Sequence, residues 1–129
     1  MKVYIAAPWL HKQDAIAAGQ RLVSLGIEVT SNWFFHEGDP KDPTGVSISL
    51  AEIQYQAKED IKDVLRADYV VVLNLAKSEG KAVETGIAIA NNIPVISVGT
   101  RSNIFQSLGP EVASLDDAIA ILQGVTHAV

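Results

Sequence analysis

The stretch that most constrains the fold is Tyr69 to Leu75 (YVVVLNL), which is apolar almost throughout. A strand with one solvated face alternates apolar and polar residues, whereas a strand covered on both faces is nearly continuously apolar. Sheets covered on both faces are typically built from parallel strands joined by helical crossovers. The run therefore predicts a central strand of a parallel sheet.

The rest of the chain alternates between strand and helix patterns. The predicted elements are, in chain order, a strand at Val3 to Ala7, a helix at Gln13 to Leu25, a strand at Ile27 to Thr30, a loop at Asn32 to Val46, a helix from the cap Ser49 to Val64, the strand at Tyr69 to Leu75, a helix at Ala82 to Asn91, a strand at Pro94 to Val98, a brief strand near Val112 and a helix at Asp116 to Gln123. This alternation is typical of a doubly wound, flavodoxin-like α/β fold with five parallel strands in the order 2-1-3-4-5 and helices on both faces. We expect one domain over residues 1–129.

Two helices carry apolar stripes at helical spacing. The side chains expected to face inward are Ile16, Leu22, Val23 and Leu25 in the first helix and Leu50, Ile53, Ala57, Ile61 and Val64 in the second. Asp60 lies at the margin of the second stripe, while Glu59 and Asp63 are expected to face solvent. A carboxylate at the edge of a buried face lowers the stability of the fold unless it pairs with a cation, and it is otherwise kept for a function. Asp60 is therefore expected either to form a salt bridge with Arg66 or a lysine, or to serve in a site.

The strand order also predicts where a ligand binds. The order reverses between the first and third strands, and ligands of such sheets bind at this switch point, beyond the carboxyl ends of the strands. Ala6 to Trp9, which includes Ala7, and Asn74 to Gly80 lie there.

Composition narrows the classes of ligand. Ten basic and fifteen acidic residues give a formal net charge of −5, which argues against polymeric nucleic acid as a partner but leaves a single nucleotide possible. The absence of cysteine excludes disulfides, a thiol nucleophile and thiolate zinc sites. His11, His36 and His127 show no metal-ligand spacing, and no dinucleotide or P-loop motif occurs, so neither a metal nor a cofactor is expected.

Nothing in the sequence predicts membrane attachment. Its longest apolar run is far shorter than the roughly 20 residues needed to span a bilayer. The N-terminal MKVYIAAPW runs directly into a strand and lacks the apolar region of a signal peptide. We expect a soluble cytoplasmic protein.

Glu84 is the first candidate for chemistry. It falls in or near the first turn of the helix that follows the central strand, within the segment SEGKAVETG. A carboxylate there can simply stabilise the helix dipole. Gly80 and Gly86 lack side chains and would let the helix lie close to a ligand or to another backbone. If Glu84 and Asp60 meet in the crevice, two carboxylates in unlike environments can divide the roles of nucleophile and proton donor.

Four further residues near the crevice are candidate contacts. Tyr4 could orient a carboxylate through its phenol, or it could be an ordinary aromatic of a sheet. Trp9 and Trp33 follow the first two strands and can stack on a planar base, although packing alone also explains them. Ser78 could donate a hydrogen bond to an anionic or hydroxyl group.

Three segments of the chain resemble a known enzyme family. VYIAAPW, EDIKDVLRADYVVVLNL and above all SEGKAVETGIAIANNIPVISVG resemble the nucleoside 2-deoxyribosyltransferases and the related 2'-deoxynucleoside 5'-monophosphate N-glycosidases. The resemblance covers about residues 3 to 100. It implies cleavage or transfer of the N-glycosidic bond of a small nucleoside or nucleotide, in a homo-oligomer whose neighbouring subunits complete each site.

The same resemblance assigns catalytic roles. Glu84 matches the glutamate that attacks the anomeric carbon and forms a covalent glycosyl intermediate. Asp60 matches the aspartate that contacts the sugar and assists proton transfer, and Tyr4 matches the tyrosine that positions the nucleophile.

The resemblance leaves the substrate open. Ser78 matches a serine that helps the monophosphate hydrolases to hold phosphate. Those hydrolases also carry a serine and an arginine after the first strand, where this chain has Pro8-Trp9-Leu10. Asn103 is a candidate to complete a neighbouring subunit's site. Transfer and hydrolysis both remain open.

Two alternative functions differ in class from this one. A phosphoribohydrolase of the lysine-decarboxylase-like group would need a PGG-x-GT run, which the chain lacks between Ser78 and Thr85. A non-catalytic nucleotide-binding domain on the same sheet would retain ligand without releasing base.

Overall fold

The computed structural model describes residues 1–36 and 44–124. Its strands form one sheet in the order β2-β1-β3-β4-β5, and each neighbouring pair is parallel. The strands are β1 (Lys2–Ala6), β2 (Glu28–Val29), β3 (Tyr69–Leu73), β4 (Val95–Val98) and β5 (Glu111–Val112). The predicted fold class and strand order are confirmed.

Helices flank this sheet. The α-helices are α1 (Lys12–Ser24), α2 (Leu50–Leu65), α3 (Glu79–Ala90) and α4 (Leu115–Leu122), and short 3₁₀ helices lie at Trp9–His11, Trp33–Phe35 and Ile104–Leu108. We refer to the last of these as the 104–108 turn. Right-handed crossovers on either side of β1 place α1 and α2 on opposite faces of the sheet. An ion pair between Arg21 and Asp116 joins α1 to α4, while α2 contacts α3.

The central strand is buried as its sequence predicts. Val70, Val71 and Val72 are fully buried, and Val71 pairs with Ile5 on one side and with Ile96 on the other. Burial of each such side chain contributes about 1.5–3 kcal/mol. This strand holds β1 and β4 in register, and so fixes the edge of the sheet at which the site lies.

The third helix begins earlier than predicted. It starts at Glu79 rather than Ala82, because the Ser78 hydroxyl accepts a hydrogen bond from the backbone N–H of Lys81 and caps the helix. Glu84 consequently lies in the second turn and not the first. The helix dipole acts mainly within the first turn, so it is a weak explanation for a carboxylate at position 84.

The prediction that Val23 and Leu25 of α1 face the core is wrong. Val23 and Leu25 are exposed, by 59% and 44%, and the buried face consists of Ala15, Ala18, Gly19 and Leu22. A Cβ on Gly19 would lie 3.6 Å from the Ile5 side chain, an ordinary van der Waals contact. The face of α1 that turns towards the sheet therefore consists mainly of small residues.

The apolar stripe of α2 is also only partly buried. Val64 is fully buried, whereas Leu50 and Ile61 are exposed by 67% and 42%. Ile53, Ala57 and Ile61 line a cavity instead of a packed core.

Some predictions lie outside the described residues. These include positions 37–43 of the predicted loop, and His127. Within residues 1–36 and 44–124, no helix is both long enough and apolar enough to cross a membrane.

Candidate active site

A cavity of about 540 Å³ opens at the carboxyl ends of β1 and β3, the predicted switch point, with α2 and α3 forming its walls. The residues predicted for the site that line it are Ala7, Trp9, Trp33, Asp60, Ser78, Gly80 and Glu84. Elements far apart in the chain thus bring the two candidate carboxylates to one cavity.

Glu84 is the more deeply buried of the two acids. Its Oε2 atom is inaccessible and has no hydrogen-bond partner among the described residues. Burial raises the pKa of this carboxyl well above its usual value, because the ionised form loses its hydration. An uncompensated buried carboxyl is costly to stability, which makes a purely structural role for Glu84 a poor explanation.

Asp60 faces the cavity from α2. Burial, reinforced by repulsion from Asp63 and Glu59, raises the pKa of Asp60 to about 7. Its Oδ1 atom is buried and has no hydrogen-bond partner in the described chain. The salt bridge with Arg66 considered as an alternative does not form, since Arg66 pairs with Asp63 at 3.3 Å.

The position of Asp63 also differs from the prediction. It was expected to face solvent, but it is only 4% exposed. Both Nε and Nη2 of Arg66 donate to its Oδ1 atom. This ion pair occupies Arg66. Among residues 1–36 and 44–124, the basic group within ion-pair distance of Asp60 is the imidazole of His36.

Tyr4 lies on β1, is fully buried and is not among the residues that line the cavity. Its hydroxyl has no hydrogen-bond partner in residues 1–36 and 44–124. Within those residues, the buried side-chain nitrogen and oxygen atoms that lack a partner are the Tyr4 hydroxyl, Asp60 Oδ1 and Glu84 Oε2. Most buried polar groups are satisfied in folded proteins. The exceptions therefore coincide with the three residues predicted to be catalytic.

The two tryptophans form one aromatic wall. Their ring centroids lie 5.8 Å apart with an interplanar angle of 40°. Trp33 is fixed in place, because its indole N–H donates to the carbonyl of Ile5 at 2.7 Å and the residue is 4% exposed. Trp9 is half-buried against the core. The wall offers π-surface to a planar ligand while Trp33 also serves packing, so the two interpretations of Trp33 are compatible.

Ser78 and Gly80 lie where α3 begins. The Ser78 oxygen accepts the Lys81 N–H at 3.3 Å, which leaves its hydroxyl proton free to donate to a ligand. A Cβ on Gly80 would have Ser78 Oγ, 3.9 Å away, as its nearest neighbour, and a Cβ on Gly86 would meet nothing within 4 Å. Neither glycine is needed for close packing among the described residues of the chain.

Asn103 is not among the residues lining the cavity. It caps the 104–108 turn, where its side-chain oxygen accepts hydrogen bonds from the backbone N–H groups of Phe105 and Gln106 at 3.0 and 3.2 Å. The structure therefore does not bring Asn103 to the cavity.

Two basic residues that line the cavity were not identified as site residues from sequence. His36 lies beside Asp60, and Lys81 lies one helical turn before Glu84. The histidine could have been found from its place after the second strand, whose carboxyl end faces the same edge of the sheet. Lys81 gave no signal, because a lysine early in a helix is normally exposed. Among the described residues, no cluster of acids and histidines suits a metal ion.

A sequence profile of nucleoside 2-deoxyribosyltransferases matches residues 3–119. The chain belongs to this family. Its resemblance to that family, predicted from three segments, is thereby confirmed, and family membership indicates glycosyl transfer or N-glycosidase chemistry on a small nucleoside-type substrate. No curated protein matches the chain.

Solved structures share the fold of this family member at low sequence identity. A 2-deoxyribosyltransferase from Bacillus psychrosaccharolyticus has a TM-score of 0.68 and 21% identity, with 92% of this chain and 90% of that chain covered. A conserved protein from Enterococcus faecalis has a TM-score of 0.66 and 20% identity, with 98% and 99% covered. The CMP N-glycosidase BcmB from Clostridium botulinum has a TM-score of 0.57 and 16% identity, with 95% and 98% covered.

Proposed function

We propose that this protein cleaves or transfers the N-glycosidic bond of 2'-deoxyribonucleosides or their 5'-monophosphates, with Glu84 as the nucleophile. One observation carries the proposal: the buried oxygens without partners in the described chain belong to Tyr4, Asp60 and Glu84. Buried polar groups without a partner in the chain are typical of a site that binds a polar substrate.

The reaction proceeds in two displacements. The Glu84 carboxylate attacks the anomeric carbon, the bond to the base breaks, and the base leaves with the bonding electron pair and a proton from Asp60. Water or a second base then attacks the same carbon and displaces Glu84, while the Asp60 carboxylate takes up the released proton. Water gives hydrolysis, and a second base gives transfer.

The environments of the three residues suit these roles. Asp60 has a pKa of about 7, where a group can both give and take a proton near neutral pH. Glu84 must be ionised to attack. The Tyr4 hydroxyl and Glu84 Oε2 make no hydrogen bond to each other in the structure, and we propose that the hydroxyl donates to the carboxylate once Glu84 ionises. The positive charge that develops on the sugar favours the same ionised form. Trp9 and Trp33 provide the surface on which the base stacks, and Ala7 and Gly80 leave room at its edge.

Two features of the chain favour different substrates, a nucleoside 5'-monophosphate and a free nucleoside. The free hydroxyl of Ser78 supports a 5'-phosphate, because it donates from the start of a helix, where negative charge is stabilised. The stretch Pro8 to Leu10, with no serine or arginine, supports a free nucleoside. A panel of deoxynucleosides and their 5'-monophosphates, each with and without a second free base, separates these outcomes when products are followed by chromatography.

Two variants test the nucleophile. Glu84→Gln and Glu84→Ala should abolish base release and leave the fold intact, whereas Glu79→Gln, an exposed site on the same helix, should keep full activity. Mass spectrometry of acid-quenched wild type should find the sugar attached to the peptide that contains Glu84. Full activity in both Glu84 variants rejects the proposal, and tight ligand retention without base release by the wild type indicates a binding domain instead.

We further propose that the protein is a homo-oligomer in which Asn103 serves a neighbouring subunit. Ile104, Phe105 and Leu108 beside it are exposed by 76%, 61% and 72%, and a partner subunit would cover this apolar group. Light scattering tests the oligomer. If subunits share sites, mixing inactive Asn103→Ala and Glu84→Ala subunits should restore part of the activity. Failure of every mixture of folded oligomers to do so excludes a shared site.

A further inference from the structure

Lys81 is a buried lysine whose ammonium donates hydrogen bonds to uncharged oxygens. The residue is 1% exposed, and its ammonium donates to the side-chain oxygen of Asn74 at 3.0 Å and to the carbonyl of Ala76 at 2.8 Å. In the described part of the chain, no carboxylate lies within ion-pair distance of it. Burial lowers the pKa of this ammonium, because the charged form loses hydration. Such burial is costly to stability, so the residue is a candidate for a functional role.

The hydrogen bonds of Asn74 extend this contact to a third segment. Asn74 follows β3, and its side-chain NH₂ donates to Oε1 of Gln106 at 2.8 Å. Gln106 is 1% exposed and belongs to the 104–108 turn. Its Oε1 also accepts the backbone N–H of Ser102 at 3.1 Å. Lys81 therefore connects the start of α3 to the loop after β3 and, through Asn74, to the 104–108 turn.

The same lysine lies between two groups of the candidate site. Ser78 caps α3 by accepting the backbone N–H of Lys81, and Glu84 follows three residues later, on the same side of the helix. All three residues line the cavity. The rotation of α3 about its axis sets the direction of the Glu84 side chain, and the ammonium of Lys81 is tied to the neighbouring loop on that side.

We propose that Lys81 is a positioning residue, which holds the first turn of α3 against the loop after β3 so that Glu84 and the Ser78 hydroxyl face the cavity in one fixed arrangement. The inference rests on the proposed function, because it assigns Lys81 to the placement of the proposed nucleophile. It requires that Lys81 act through Asn74 and Ala76 and not through contact with the substrate.

Kinetics of Lys81→Met test the proposal, since methionine keeps the length of the side chain and removes its hydrogen bonds. We expect kcat per folded molecule to fall about 10–100-fold, because small displacements of reacting groups cost this much, with KM changed less than about threefold. Lys77→Met makes the same change at an exposed lysine of the same loop and should match the wild type. A lower melting temperature with unchanged kcat, or a selective rise in KM for 5'-monophosphates, overturns the proposal.

A double-mutant cycle tests the route of the effect. If Lys81 acts through Asn74, then Lys81→Met and Asn74→Leu together should reduce kcat about as much as the more damaging single variant. If the double variant instead reduces kcat by the product of the two single reductions, Lys81 and Asn74 act independently and the proposal is contradicted.

Hydrogen exchange gives a readout that does not depend on activity. Lys81→Met should speed exchange in residues 74–84 and leave α1 unchanged. If the wild type releases no base, the proposed function fails, and exchange still decides whether Lys81 holds this segment. Unchanged exchange in the variant overturns the positioning role.

Discussion

Nδ1 of His36 lies 3.8 Å from Oδ1 of Asp60, and both side chains are largely buried. Burial lowers the pKa of His36 despite the opposing charges of Asp63 and Glu52, and it raises the pKa of Asp60 to about 7. The two shifts bring the pKa values of the acid and the histidine towards each other. In both groups burial favours the neutral form.

The first prediction concerns the pH dependence of base release. In the proposed mechanism Asp60 donates its proton only when protonated, so kcat/KM should decline as pH rises through about 7. Glu84 attacks only when ionised, and its raised pKa should produce a rise in kcat/KM with pH on the acidic side of the profile. Asp60→Asn should lower the rate about 100-fold or more and remove this decline. Rates measured from pH 5 to 9 check it. Asp117→Asn, at an exposed acid of α4, should keep the wild-type profile, and an unchanged decline in Asp60→Asn assigns the proton to another group.

The second prediction concerns the titration of His36. Because burial raises the pKa of Asp60 and lowers that of His36, we expect Asp60 to be mostly neutral in the pH range where His36 takes up its proton. Asp60→Asn should therefore change the pKa of His36 by less than about 0.3. NMR titration of the imidazole signals measures this, with His36→Gln to assign the resonance. A large fall in the pKa of His36 in the variant would mean that Asp60 is ionised there.

The third prediction concerns stability at Glu84. Because burial raises the pKa of this carboxyl, the folded state holds the proton more tightly than the unfolded chain. Stability is therefore lost as pH rises above the ordinary glutamate value. Glu84→Gln stays neutral and should be more stable than the wild type by about 1–3 kcal/mol at pH 8, with the difference shrinking towards pH 4. Urea unfolding at both pH values measures it, and Glu79→Gln should show no such trend.

The fourth prediction concerns the Tyr4 hydroxyl. Removing a buried hydroxyl that has no partner should not destabilise the protein, so Tyr4→Phe should leave the free energy of unfolding unchanged or raise it by about 1 kcal/mol. Base release should fall nonetheless, because the Glu84 carboxylate loses its assigned donor. Unfolding and kinetics on the same preparation check both parts. A destabilised but fully active variant would mean that the hydroxyl serves the fold.

The fifth prediction separates two roles of Ser78. Ser78 caps α3, and Ser114 caps α4 by accepting the backbone N–H of Asp117 at 3.2 Å. Replacement of either by alanine should cost about 1 kcal/mol of stability. If Ser78 holds a 5'-phosphate, only Ser78→Ala should also raise KM for monophosphates relative to nucleosides. Parallel effects of the two variants on KM would restrict Ser78 to capping.

The sequence by itself determined the architecture and where the site lies. The apolar run of β3 requires cover on both faces, which leaves a parallel sheet with helical crossovers, and the strand order then fixes the switch point. The spacing of Glu84 after β3 and of Asp60 on the preceding helix placed both carboxyls at that edge. These features depend on periodicity along the chain, which a sequence displays directly.

The tertiary structure alone decided which polar groups are satisfied. Periodicity predicted that Asp63 faces solvent, yet Arg66 folds back to pair with it and leaves Asp60 without that partner. No local sequence pattern predicts that Lys81 is buried, or that His36 lies beside Asp60. Burial and hydrogen bonding depend on segments distant in the chain, and those contacts set the pKa values on which the chemistry depends.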